Sequence, residues 1–130
     1  NDAKPQLVVD KVKVAIADFL QANPNKTAKD ITIACYGLAF KPDIDDLRES
    51  PALKICMEII KIHPGNVVFS EPNISKLPPS LSRGELNLYN ECIKKADVHV
   101  FLVKHKQFLS AKIPKEHVID IIGITQFKIQ

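Results

Sequence analysis

Four short apolar runs, residues 31–36, 67–70, 98–103 and 118–122, are the feature that most limits the folds open to this chain. Each is nearly continuous in hydrophobic residues, the pattern of strands covered on both faces, rather than alternating hydrophobic and polar. Between them lie segments with helical period. Residues 51–63 carry Leu53, Cys56, Ile59 and Ile60 on one face, behind Ser50 as a natural N-cap. Residues 88–96 place Leu88, Cys92, Ile93 and Ala96 inward, and a short helical turn is expected around 106–111. Strands alternating with helices predict an α/β fold: a three-layer, Rossmann-like parallel sheet with helices on both faces. Sheets of this kind take ligands beyond the carboxyl ends of their strands.

A helix is expected first, over about residues 5–20. Pro5 suits a first-turn position, and Val8, Val12, Ile16, Phe19 and Leu20 share one face, with Asp10, Lys11 and Asp18 off it. Asn23-Pro-Asn-Lys ends it. The segment 73–83, rich in Pro and Ser, reads as an excursion over the surface. No internal repeat or low-complexity segment is evident.

At 130 residues the chain is one ordinary domain, with 45% hydrophobic and 25% charged residues. The net charge is +3 and the lysines are spread along the chain, so no nucleic-acid footprint is present. No apolar run approaches the ~20 residues of a membrane span, and no secretory signal is seen, so no membrane partner is expected. Cys35, Cys56 and Cys92 are odd in number and widely spaced. That argues against a disulfide framework and fits a reducing cytoplasm. The chain opens on Asn and enters a helical pattern almost at once, so it is expected to be a piece of something longer.

The connection from the first strand to the following helix, GLAFKPDIDDLRES over residues 37–50, is long for such a loop, where about 2 to 6 residues suffice. It has one glycine and so lacks the GxGxxG pattern of a dinucleotide cradle. It does hold Lys41, a point charge, and Arg48, a planar fork, ahead of the N–H groups of a helix start. Phe40 offers a surface for a base or sugar. The same two cations could instead pair with Asp43, Asp45, Asp46 and Glu49 across a solvated loop. Spacing alone leaves both readings open.

The cysteines fall on the predicted central strand and on inward helix faces, where small buried hydrophobes are the default. His63, His99, His105 and His117 show no metal spacing, and structural roles are favoured for His63 and His99. No Ser/His/Asp or paired-carboxylate constellation stands out.

Gly37-Leu-Ala-Phe-Lys41, followed by Asp46-Leu-Arg48-Glu-Ser50-Pro51, resembles the signature of the C-terminal domain of the UDP-glucose/GDP-mannose dehydrogenase family. In that signature a strand leads into Gly-hydrophobic-Ala/Ser-Phe/Tyr-Lys, and an acidic stretch then ends Asp-x-Arg-x-Ser-Pro. The likeness covers essentially the whole chain. Residues 71–78 (EPNISKLP) and 96–108 (ADVHVFLVKHKQF) are similar to the family's N-acetylmannosamine branch, and the opening NDAKP to the end of its long central helix.

This resemblance implies an NAD-dependent oxidation of the C6 alcohol of a UDP-sugar to a carboxylate. Two NAD are used, the intermediate is held on a cysteine, and the product serves surface polysaccharide synthesis. It implies that residues 1–22 end a connecting, dimerising helix and that residues 23–130 form the UDP-sugar-binding domain. NAD would be held mainly by an upstream domain, in a homodimer or higher homo-oligomer. Phe40 and Lys41 match the family's substrate-contacting pair, and Arg48 the arginine that reaches towards NAD. The family's catalytic cysteine lies in a segment upstream of this chain, and none of the three here matches it, so no catalytic residue and no metal site is expected and the chain alone should be inactive. Where the family's last strand ends Asp-x-Lys/Arg, this chain has Asp120-Ile-Ile122, so Ile122 stands at the basic position. UDP-glucose or UDP-N-acetylgalactosamine as substrate, or a non-catalytic nucleotide-sugar-binding module, are the alternatives.

Overall fold

A computed structural model describes residues 5–39, 47–48, 50–109, 112–114 and 116–122. Helix α1 (Pro5–Ala22) leads into strand β1 (Ile33–Tyr36), and then follow α2 (Pro51–Ile62), β2 (Val67–Ser70), β3 (Glu85–Leu86), α3 (Tyr89–Lys95), β4 (Val98–Phe101), α4 (Lys106–Leu109) and β5 (Val118–Asp120). Two 3-10 turns, Ala28–Asp30 and Pro79–Leu81, lie in the connections.

The strands form one sheet in the order β3-β2-β1-β4-β5, every neighbouring pair parallel. Ile33 of β1 stands beside Val67 of β2 and Val98 of β4, so the central register is flush. Side chains alternate between the two faces, and each face has its own core. Ile33, Cys35, Val67, Phe69, Val98 and Val100 pack under α1 and α2. Ala34, Tyr36, Val68 and Phe101 pack under α3 and α4, with Cys92 and Phe108. The parallel, doubly covered sheet expected from the apolar runs is therefore present, and α2 buries Ile55 as well as Cys56 and Ile59.

Two expectations need correction. The sheet has a fifth strand, β3, which at two residues is too short to show a period. Leu88 is not an inward helix residue: it precedes α3 and is 74% exposed, while Glu91 Oε1 accepts from its backbone N–H.

The segment before β3 is tied to the fold by two residues. Leu81 is buried in the first core. The Arg83 guanidinium donates to the carbonyls of Ile60 (2.6 Å), His63 (2.8 Å) and Gly65 (3.0 Å), where α2 ends. A cation on the last carbonyls of a helix complements its dipole and satisfies acceptors that have no helical partner.

Candidate functional site

The chain leaves β1 for β2 and β3 on one side, then returns through α3 to β4 on the other. The reversal point lies between β1 and β4, and the crevice at their carboxyl ends is where such sheets receive ligands. Three loops meet there: the turn after β1 (residues 37–39), the turn after β2 (residues 71–73) and the turn after β4 (residues 102–105).

Gly37 makes the turn after β1 sharp enough. Its φ is +101°, which disfavours any L side chain, and an added Cβ would lie 2.5 Å from Val103 Cβ and 2.8 Å from Val103 N. Its N–H bonds Ser70 O at 2.9 Å, while the amides of Leu102 and Val103 bond Tyr36 O. The turn is thus bound to both neighbouring strand ends.

The acid that closes the site is Glu71, directly after β2. Its Oε1 accepts from Leu38 N (2.7 Å), Ala39 N (3.1 Å) and His105 Nε2 (2.9 Å). Its Oε2 accepts from Asn73 N (3.1 Å) and Asn73 Nδ2 (3.0 Å). His105 Nδ1 lies 3.4 Å from Asn73 Nδ2, so the partners assign the imidazole proton to Nε2. The Glu71 and His105 side chains are fully buried. Burial works to raise the Glu71 pKa, but the hydrogen bonds from His105, Leu38 and Asn73 outweigh it and hold the carboxyl below its ordinary value.

Ser50 fastens the far end of the long connection. Its hydroxyl reaches Leu38 O (2.8 Å) and Ala39 O (3.2 Å) and accepts from Leu53 N (3.2 Å), the expected N-cap of α2. Arg48 is exposed two residues before this cap. Phe40 and Lys41, which follow Ala39 directly, lie outside the described residues, as do Asp43, Asp45, Asp46 and Glu49. Ile122 is partly buried and packs against the second core. Beside Glu71 a cavity of about 420 Å³ opens at the ends of β2 and β3, lined among others by Ser70, Ile74, Asn87, Tyr89 and Phe108.

All three cysteines are buried and unpaired by disulfides. Burial pushes the Cys92 thiol up to about 12 and raises Cys56 as well, the opposite of what a reactive thiolate needs. His99 bonds the Tyr36 hydroxyl and His63 bonds Ile31 O, the structural roles expected of them. Among the described residues no group of His, Cys, Asp and Glu is arranged to hold a metal. Sequence reasoning missed Glu71 and His105 as members of the site. The available signal was an acid directly after the second strand, where Rossmann-type folds place a ribose-binding carboxylate.

Residues 34–127 match the model of the UDP-glucose/GDP-mannose dehydrogenase family, UDP binding domain. The chain is 47% identical over 129 residues to a UDP-N-acetyl-D-mannosamine dehydrogenase of Yersinia pestis, covering 95% of this chain and 30% of that protein. It is 45% identical over 128 residues to the Escherichia coli K12 enzyme of the same name, with the same coverage. The chain therefore spans under a third of the length of these relatives. Its fold superposes on a UDP-N-acetyl-mannosamine dehydrogenase from S. aureus with a TM-score of 0.66 at 19% identity, over 98% of this chain and 32% of that one. With the signature residues in sequence, the doubly wound sheet in space and the family match over most of its length, this chain belongs to the UDP-glucose/GDP-mannose dehydrogenase family as its UDP binding domain.

Proposed function

We propose that this chain is the UDP-sugar-binding part of an NAD-dependent dehydrogenase that oxidises UDP-N-acetyl-D-mannosamine to UDP-N-acetyl-D-mannosaminuronate for surface polysaccharide synthesis. The observation that carries this reading is the identity to the Yersinia pestis UDP-N-acetyl-D-mannosamine dehydrogenase across 95% of the chain. The oxidation takes an alcohol and water to a carboxylate, with two hydrides passed to two NAD and three protons released. The described residues do not fit a dinucleotide cradle. The loop after β1 has one glycine, and two of its amides are taken by Glu71. On this reading NAD is bound mainly by an upstream domain, and this chain's residues serve the other substrate.

On this reading Lys41 compensates the charge of the UDP-sugar, Phe40 packs beside it, and Arg48 reaches across a cleft to a cofactor phosphate as a planar fork. Residues 1–22 are the end of a connecting helix in a homodimer or higher homo-oligomer. The exposed apolar side chains Leu7 and Val14 of α1 support that assignment. The buried, unpaired cysteines fit the reducing cytoplasm, and no helix among the described residues is long and apolar enough to cross a membrane.

Titration calorimetry on this chain tests the division of labour. UDP or a UDP-sugar should bind weakly, since some contacts lie elsewhere, and NAD should give no measurable heat. Tight NAD binding by this chain would overturn the assignment.

A further inference from the structure

We propose that the Glu71 carboxylate is a built-in anion. It fills the amide nest after β1, at the turn where a dinucleotide-binding domain of this topology receives a pyrophosphate. The domain thereby uses that turn to hold its own loops rather than a dinucleotide.

The geometry carries this in three steps. Successive backbone N–H groups aimed at one point form an anion-binding concavity, and here the amides of Leu38 and Ala39 meet a single oxygen, Glu71 Oε1, at 2.7 and 3.1 Å. In a dinucleotide-binding sheet the turn after the first strand takes the pyrophosphate and an acid further along takes the ribose hydroxyls. Glu71 stands directly after β2, yet its side chain turns back over the end of β1 and is fully buried. The two halves of a nucleotide site are thus spent on each other.

Third, the carboxylate is held as a bound anion is held. Among the described residues five donors converge on it: Leu38 N, Ala39 N, His105 Nε2, Asn73 N and Asn73 Nδ2. They come from the loops after β1, β2 and β4, so one charge ties three strand ends together. Glu71 also lines the cavity of about 420 Å³, which gives an outside anion a way in once the carboxylate is gone. Phe40 and Lys41 follow this turn in sequence, and any bearing of the anion on substrate rests on the reading of them as substrate contacts given above.

The test removes the anion and offers it back. Glu71→Ala is titrated with formate and with inorganic phosphate, against sodium chloride at matched ionic strength. The variant should gain roughly 5 °C in Tm at a formate concentration about ten times its Kd. Its Leu38 and Ala39 amide resonances should shift saturably, while the wild type shows neither change. In parallel Glu71→Gln, which keeps the volume but not the charge, should lose at least about tenfold in hydrogen-exchange protection at those two amides. A Glu71→Ala chain that folds but gains nothing from formate or phosphate overturns the proposal. So does unchanged protection in Glu71→Gln. None of these readouts uses UDP, so a failed UDP titration is a separate result.

Discussion

The hydroxyl of Tyr36 lies 2.7 Å from Nδ1 of His99, between diagonal neighbours on the adjacent strands β1 and β4. Both side chains are buried. Burial raises the phenol and lowers the imidazole, to about 4, so the phenol stays protonated and donates to a neutral ring.

This pair predicts acid sensitivity with a defined window. Unfolded, His99 takes up a proton near 6.5; folded, it resists until about 4. Between those values the unfolded state holds more protons, so stability falls as pH falls, and it is fully present above the upper value. His99 alone contributes up to about 3 kcal/mol of that loss. Burial lowers His63 too and adds in the same direction. Urea unfolding from pH 7 to 4 should show a shallower slope in His99→Gln than in the wild type. Identical slopes would mean His99 is protonated without penalty in the fold.

Glu71 acts in a lower window. Its folded pKa lies below the ordinary 4.5, so its stabilisation is present above that value and is lost as pH falls through the folded one. Glu71→Gln should lose roughly 3 kcal/mol at pH 7, because it leaves buried donors without their charge. The deficit should shrink below pH 4.5 as the wild type protonates. A deficit constant down to pH 3 would contradict a carboxylate in the native state.

Gly37→Ala should destabilise by about 2 kcal/mol or more, from the left-handed backbone and the collision with Val103 together. Val103→Ala in the same chain should not restore stability. The conflicts with Val103 Cβ, which alanine keeps, with the backbone at Val103 N and with φ remain. Full rescue in thermal melts would show that the contact with Val103 Cγ2 alone matters.

In a full-length dehydrogenase carrying this domain, Lys41→Ala and Arg48→Ala should fail differently. Lys41→Ala should raise the KM for the UDP-sugar by roughly ten- to a hundredfold, the worth of a charge-assisted hydrogen bond. Arg48→Ala should do so mainly for NAD. Unaltered kinetics in both variants would favour the reading in which these cations only pair with neighbouring acids.

Much of the fold was legible because it rests on local chemistry. The four apolar runs became β1, β2, β4 and β5, Ser50 became the cap of α2, and the cysteines entered the core. Period and capping are properties of residues a few places apart, and they can be read along a chain. Leu88 misled because an apolar residue at a helix boundary satisfies the period without facing inward. β3 escaped because two residues carry none.

The site divides along the same line. The amino-acid sequence determined the layers, the strand and helix alternation, the long connection with Lys41 and Arg48, and the signature that marks the family. It could not determine that Glu71 would close on Leu38, 33 residues back, and on His105, 34 residues ahead. That closure depends on the strand order, which sets the carboxyl ends of β2, β1 and β4 side by side. Only there can one buried carboxylate gather donors from three loops, because an unpaired charge in such a place is too costly to keep.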